Sequence, residues 1–129
     1  MKLSTNFNLN EFESKDGAKT PENVLSNLKE LVKNLQIIRD NAGAIKINSG
    51  YRSPAHNKAE GGVANSQHIY GKASDLKPLK ITPKQLYNLI IELIGKGLIY
   101  NGGVGIYDTF VHYDIGGKGR RWDYRKNKK

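Results

Sequence analysis

Two short segments hold the residue types that bind metals and move protons. In Ser66-Gln67-His68-Ile69-Tyr70-Gly71-Lys72-Ala73-Ser74-Asp75, a histidine and an aspartate lie seven residues apart. On one continuous helix their Cα atoms would be about 10 Å apart, from a rise of ~1.5 Å per residue. Ligands of a single zinc ion each approach it to about 2.0–2.2 Å, so a chain reversal at Gly71 is the better arrangement, with Asp75 projecting from a following strand. In Phe110-Val111-His112-Tyr113-Asp114, strand alternation sets Phe110, His112 and Asp114 on one face and Val111 and Tyr113 on the other. Two neutral imidazoles and one carboxylate leave a fourth position open for water, the arrangement of catalytic zinc. A lone histidine more often sits satisfied in a core or on a surface. It is the company of His68 and His112 that separates them from the third histidine, His56.

The elements that must position these residues are readable from periodicity. Thr20 as N-cap and Pro21 at the first helical position open a helix carrying Val24, Leu25, Leu28, Leu31, Val32, Leu35 and Ile38 at three-four spacing, ending near Asn41-Ala42-Gly43. Ile45 and Ile47 alternate with polar neighbours in a short strand that ends at Ser49-Gly50. From there to Gly71 runs a long polar stretch, interrupted by a helical turn around 54–60. A loop of that length in a compact domain is usually functional or disordered. Residues 73–77 read as a strand, and Thr82-Pro83 opens a second helix with Leu86, Leu89, Ile90, Leu93 and Ile94, stopped by Gly95. Strands follow at 104–107 and 109–115, and residues 7–12 form one helical turn behind Asn8. The expected class is α+β, a small, largely antiparallel sheet packed against two main helices.

Composition bounds the function. A chain of 129 residues with 37% hydrophobic and 9% aromatic content is expected to form one domain, 1–129, with a real but small core. The absence of cysteine excludes disulfide scaffolds, thiol catalysis and thiolate zinc sites. No apolar run is long enough to span a membrane, and the first residues lack the apolar stretch of a secretory signal. Of the net charge of +9, +6 falls in residues 118–129, where seven Lys/Arg face one Asp. Such a basic tail either solvates the chain or attracts a polyanion: nucleic acid, an anionic membrane or an anionic cell-wall polymer. Trp122 and Tyr124 between the charges suggest that it packs. Gly102-Gly103-Val104-Gly105 is no phosphate loop, lacking the Gly-Lys-Ser/Thr ending, and there is no Gly-x-Ser-x-Gly elbow.

The string Ile47-Asn48-Ser49-Gly50-Tyr51-Arg52-Ser53-Pro54, then Asn57, Gly61-Gly62-Val63, Ser66-Gln67-His68, Gly71, Ala73 and Asp75, with Gly102-Gly103-Val104-Gly105 and Phe110-Val111-His112-Tyr113-Asp114, resembles the D-Ala-D-Ala zinc metallopeptidase family. That family includes D,D-carboxypeptidases, D,D-dipeptidases and phage endolysins acting on peptidoglycan stem peptides. The opening Asn6-Phe7-Asn8-Leu9-Asn10-Glu11-Phe12 is similar to its compact, single-domain phage-type branch, so the likeness covers nearly the whole chain. The resemblance implies a hedgehog/D,D-peptidase-like fold, Zn2+ as cofactor, and His68, Asp75 and His112 as the metal ligands. It makes Arg52 the binder of the substrate's carbonyl or terminal carboxylate, a role that suits a permanently charged, bidentate guanidinium. Ser66, two residues before the first ligand, either touches substrate or forms a turn.

One position departs from the family pattern. Where several branches carry an acid/base carboxylate three residues before the last histidine, this chain has Thr109. Asp114, on the His112 face, is the choice for general base and then acid, with Asp108 as runner-up. Asp114 could instead orient a ligand from behind. The expected function is zinc-dependent hydrolysis of a peptide bond in bacterial peptidoglycan stem peptides or cross-links, a D,D-bond, by a monomer made in the cytoplasm and acting on the cell wall as a phage lysis or tail protein. The Thr109 departure motivates an alternative, a non-catalytic zinc-containing wall-binding or virion structural module. A nucleic-acid-binding domain ranks third, because little charge excess lies outside the tail and no nucleic-acid motif is present.

Overall fold

In the computed structural model, which describes residues 1–126, the first long helix, α1 (Glu22–Ala42), buries Val24, Leu28, Leu31, Val32, Leu35 and Ile38. These are six of the seven periodic positions; Leu25 stays half-buried at the margin of the stripe. The helix begins one residue later than its sequence signal. Pro21 is the N-cap in extended backbone, and the Leu25 N–H bonds its carbonyl at 2.9 Å. Thr20 therefore does not cap, and its Oγ1 is buried without a partner. The other long helix, α3 (Pro83–Gly95), starts as its signal says. Thr82 Oγ1 accepts from the Gln85 N–H at 3.1 Å while Gln85 Oε1 accepts from the Thr82 N–H at 2.9 Å, closing both ends of a capping box. A short helix, α2 (Pro54–Ala59), punctuates the long loop, with Pro54 in its first turn and the Ser53 hydroxyl accepting from the His56 N–H.

Five strands make the sheet: β1 (Ile45–Ser49), β2 (Ala73–Pro78), β3 (Gly103–Ile106), β4 (Val111–Asp114) and β5 (Arg120–Asp123). Their order is β1-β2-β4-β3-β5, antiparallel at every pairing except the parallel β3–β5 edge. The fold is α+β as the periodicity indicates, with a sheet that is mixed because the basic tail folds back as its last strand.

Alternation gives the sheet two unlike faces. Leu76 of β2 and Val111 of β4 are partners, as are Val104 of β3 and Tyr113 of β4, and all four are fully buried in the core with α1 and α3. A Leu or Val buried this completely contributes about 1.5–3 kcal/mol over leaving it exposed. The opposite face carries the chemistry. One row crosses all five strands in register, Ser49, Asp75, His112, Gly105 and Trp122. Ser49 joins it through an irregularity in β1 between Ile47, which pairs with Leu76, and Ser49, which pairs with Asp75. That bulge turns the end of β1 from the core face to the other.

The segment before α1 braces the loop after β1. Phe7 and Phe12 are buried edge to face at 5.8 Å around a 3-10 turn at Leu9–Phe12, and the Phe12 carbonyl accepts from the Tyr51 N–H at 2.8 Å.

Candidate metal centre

The pairing of β2 with β4 sets Asp75 directly beside His112. His68 reaches them from the loop through the reversal at Gly71, whose φ of +70° is open to glycine and costly for other residues. The turn is tightened by the Ser66 hydroxyl, which accepts from the His68 N–H at 3.2 Å, and by the Lys72 N–H on the Gln67 carbonyl at 3.0 Å. His68 Nε2 then lies 3.4 Å from Asp75 Oδ1, and His112 Nδ1 lies 3.1 Å from the same oxygen. Donors about 2.0–2.2 Å from a tetrahedral zinc sit about 3.4 Å from one another. The three atoms, all within 4.8 Å of each other, therefore fit one such ion.

The remaining polar atom of each of these side chains is also held. His68 Nδ1 donates to the Gly50 carbonyl at 2.8 Å, which leaves Nε2 as the lone-pair nitrogen facing Asp75. His112 Nε2 meets Asp114 Oδ2 at 2.7 Å, fixing the ring with Nδ1 toward the same point. Asp75 Oδ2 is 3.5 Å from Arg52 Nη2. Outer partners of this kind set the tautomer and orientation of metal-binding histidines.

Electrostatics follow the same contacts. Burial would raise the Asp75 carboxyl, but hydrogen bonds from His112 and His68 outweigh it and hold it well below the usual carboxylate range. Burial likewise opposes ionisation of Asp114, and the His112 ring, the Gly103 N–H and the Arg120 guanidinium overcome it. His112, buried between those two carboxylates, is held above the ordinary histidine value despite its desolvation. The same two carboxylates that favour a proton on His112 would favour a cation at its Nδ1, since a metal ion competes with protons for these donors.

A cleft of about 540 Å³ opens over the cluster. Arg52 lines it, its guanidinium aligned by the Ser49 hydroxyl at 3.2 Å and Asn57 Oδ1 at 3.3 Å. Asn57, 2% exposed, also donates to the Val63 carbonyl at 2.8 Å, so one side chain ties the loop wall to Arg52. Ser66 lines the cleft as well, with its hydroxyl on the backbone of His68. Asp114 is at the cleft floor, wholly buried; beyond His112 it accepts from the N–H groups of Gly103 at 3.0 Å and Gly116 at 3.1 Å and from Arg120. Asp108 and Thr109 are exposed, outside the cleft lining, and Asp108 accepts from the Lys126 N–H at 3.1 Å. His56 faces Glu60 at 3.6 Å and is not one of the three converging donors.

Sequence reasoning passed over Arg120 and Trp122 as site residues, although both line the cleft. The readable signal was a pair of alternations, Gly103-x-Gly105 on one strand and Arg120-x-Trp122 on another. The tail is bonded to the rest of the protein through Arg120 to Asp114 and Arg121 to the Gly102 carbonyl and Asn101, while Arg125 pairs with Asp123 inside it. Its last residues, 127–129, lie outside those described.

Two imidazoles and one carboxylate at the floor of an open cleft are a set of donors able to hold one metal ion. A Peptidase M15 family model matches residues 3–114, most of the chain, and the chain belongs to this family of D-Ala-D-Ala zinc metallopeptidases. The match ends at Asp114 and leaves β5 beyond it. No curated protein matches the chain.

Proposed function

We propose that the protein is a zinc-dependent peptidase that hydrolyses a bond in bacterial peptidoglycan stem peptides or cross-links, and that the bond is a D,D-bond. The convergence of His68, Asp75 and His112 on one point, with Arg52 beside it in the cleft, carries this reading. These three side chains would hold the ion, which when bound supplies an acidified water and polarises a carbonyl. Arg52 offers its guanidinium to the substrate carbonyl or carboxylate, pre-oriented by Ser49, Asn57 and Asp75 so that little rotamer freedom is lost on binding. Its charge also stabilises oxyanion character at the reacting carbonyl, an effect that grows as water is excluded.

Asp114 has no exposed atom and meets His112 on the nitrogen remote from Asp75. Those contacts favour a positioning role, holding Nδ1 of His112 in place, over proton transfer at the substrate. Glu60, exposed at the cleft rim, is the lining carboxylate left open to solvent among the described residues. Ser66 serves the turn that delivers His68.

The test is digestion of purified peptidoglycan by the zinc-loaded protein, with a chelated sample as control and fragments identified by mass spectrometry. Chelator-sensitive release of alanine or of opened cross-links is the expected result. A cut between L-Ala and D-Glu would move the bond while keeping the mechanism. Intact wall material at full zinc occupancy would overturn the reading in favour of a non-catalytic wall-binding module.

A further inference from the structure

Between β5 and the metal-site strand β4 stands β3, and on the cleft face β3 is bare. Gly105 is in register with His112 on one side and with Trp122 on the other, and Gly103 is in register with Arg120. A Cβ on Gly105 would collide with Trp122 Nε1, and a Cβ on Gly103 with Asp114 Oδ2 and Arg120 Nη2. Glycine inside a strand is otherwise unfavourable and marks a close approach of other groups. Here the groups are two β5 side chains laid flat across β3. The Trp122 ring reaches to 5.0 Å from the His112 ring, and Arg120 Nη2 reaches Asp114 Oδ1.

Both side chains also face substrate space. Trp122 Nε1 donates to the Tyr107 hydroxyl at 3.0 Å, and Tyr107 stacks on Phe110 at 4.4 Å, so the cleft has a continuous aromatic wall on this side. Arg120 is anchored through Nη2, which also donates to the Gly116 carbonyl at 2.9 Å, and through Nε, which donates to the Lys118 carbonyl at 3.4 Å. Its Nη1 has no hydrogen bond among the described residues, and the side chain is 44% exposed. Arg52 flanks Asp75 on the β1 side of the centre; Arg120 stands on the β5 side.

We infer that Arg120 and Trp122 form a substrate subsite, an aromatic shelf ending in a guanidinium that takes a carboxylate-bearing residue of the peptide. The inference rests on the peptidase reading and extends it: the substrate carries a carboxylate on each side of the cleft, one for each arginine. A guanidinium held through Nη2 and Nε and open at Nη1 binds a carboxylate without first paying to be ordered. The shelf covers apolar backbone and side-chain stem beside it.

Trp122 is the chain's single tryptophan, so intrinsic fluorescence reads the shelf directly. The zinc-loaded full chain is titrated with stem peptides in which one carboxylate at a time is converted to the amide, with turnover followed in parallel. At one position the free acid should shift Trp122 emission and bind about 10- to 100-fold tighter than its amide, the worth of a charge-assisted hydrogen bond. Arg120→Gln should erase that preference with zinc content unchanged, Arg120→Lys should retain part of it, and Arg52→Gln should leave it while weakening the preference at another position. Equal binding of every acid and amide overturns the subsite. So does a preference that survives Arg120→Gln while kcat falls alike for all peptides, since Arg120 would then serve Asp114 alone. If Arg120→Gln does not fold, the unsubstituted protein and Arg120→Lys decide the matter. Acid-selective binding without cleavage of any peptide would discard the peptidase reading and keep the subsite.

Discussion

Asp114 is satisfied on every side, by two backbone N–H groups, the Arg120 guanidinium and the His112 ring, with no solvent contact. A buried carboxylate is tolerable only when so paired, and removing it would strand those partners. Asp114→Asn keeps the shape but replaces an acceptor with an amide that can donate to His112 Nε2 and upset the ring. Zinc affinity should fall about 10- to 100-fold, as for other outer partners of metal-binding histidines. Activity should return substantially at saturating zinc. Competition against a chelator of known affinity measures the first, and a zinc-dependent activity curve the second. Normal affinity with activity still lost at saturation would make Asp114 the proton carrier instead. That His68 meets Asp75 and that His112 shares a face with Asp114 was legible in sequence, because each pair lies on one short segment and one glycine turn or strand alternation sets its geometry; that the two pairs form one site was implied by the family resemblance. What Asp114 touches was not: the N–H groups of Gly103 and Gly116 and the Arg120 guanidinium come from separate pieces of chain.

Strand β5 shows where element-level reading stops. Arg120-Arg121-Trp122-Asp123 has no clean alternation of apolar and polar residues, and its charge reads as solvated tail, even though Gly116-Gly117 just before it is a turn signal. It is an edge strand whose stability comes from pairing with β3 and from two side chains crossing bare glycine backbone. The two long helices were legible because three-four periodicity over a dozen or more residues is a strong signal, and α3 also carries its capping box. Their edges are weaker evidence: the Thr20-Pro21 pair mimics a cap, yet the helix starts behind Pro21. Gly105→Ala forces the indole off His112, because the new methyl group and Trp122 cannot share the space. Overpacking of this kind costs about 1–3 kcal/mol. Urea unfolding should show that loss, and Trp122 emission in the folded variant should move toward that of a solvent-exposed indole. Unchanged emission and stability would mean that the shelf is not held by the glycine row.

At the scale of the whole molecule, the segment before α1 and the loop after β1 are stitched together behind the cleft. Asp16 accepts from the Ser14 hydroxyl at 2.6 Å, from the Ala18 N–H at 3.0 Å and from the Ser53 hydroxyl, while the Ser14 hydroxyl accepts from the Ser53 N–H at 3.0 Å. Ser53 follows Arg52 directly and caps α2, so this knot fixes the chain on which Arg52 sits. Among the described residues no helix is long and apolar enough to cross a membrane, and the core is closed by α1, α3 and the buried phenylalanines. Hydrogen bonds from Ser14, Ser53 and Ala18 hold the Asp16 carboxyl down to about 2, from an ordinary 3.8. A carboxyl depressed on folding adds stability that is complete above its unfolded value and is lost as pH falls through its folded one. Asp16→Asn should therefore be less stable than the unsubstituted protein at pH 6, and the gap should close between about pH 4 and pH 2. Comparing the two at each pH cancels the other carboxylates, Asp75 and Asp114 included, which titrate in both. Thermal midpoints across that range measure the gap; one that persists unchanged at pH 2 would place the stabilisation in the shape of the side chain and not in its charge.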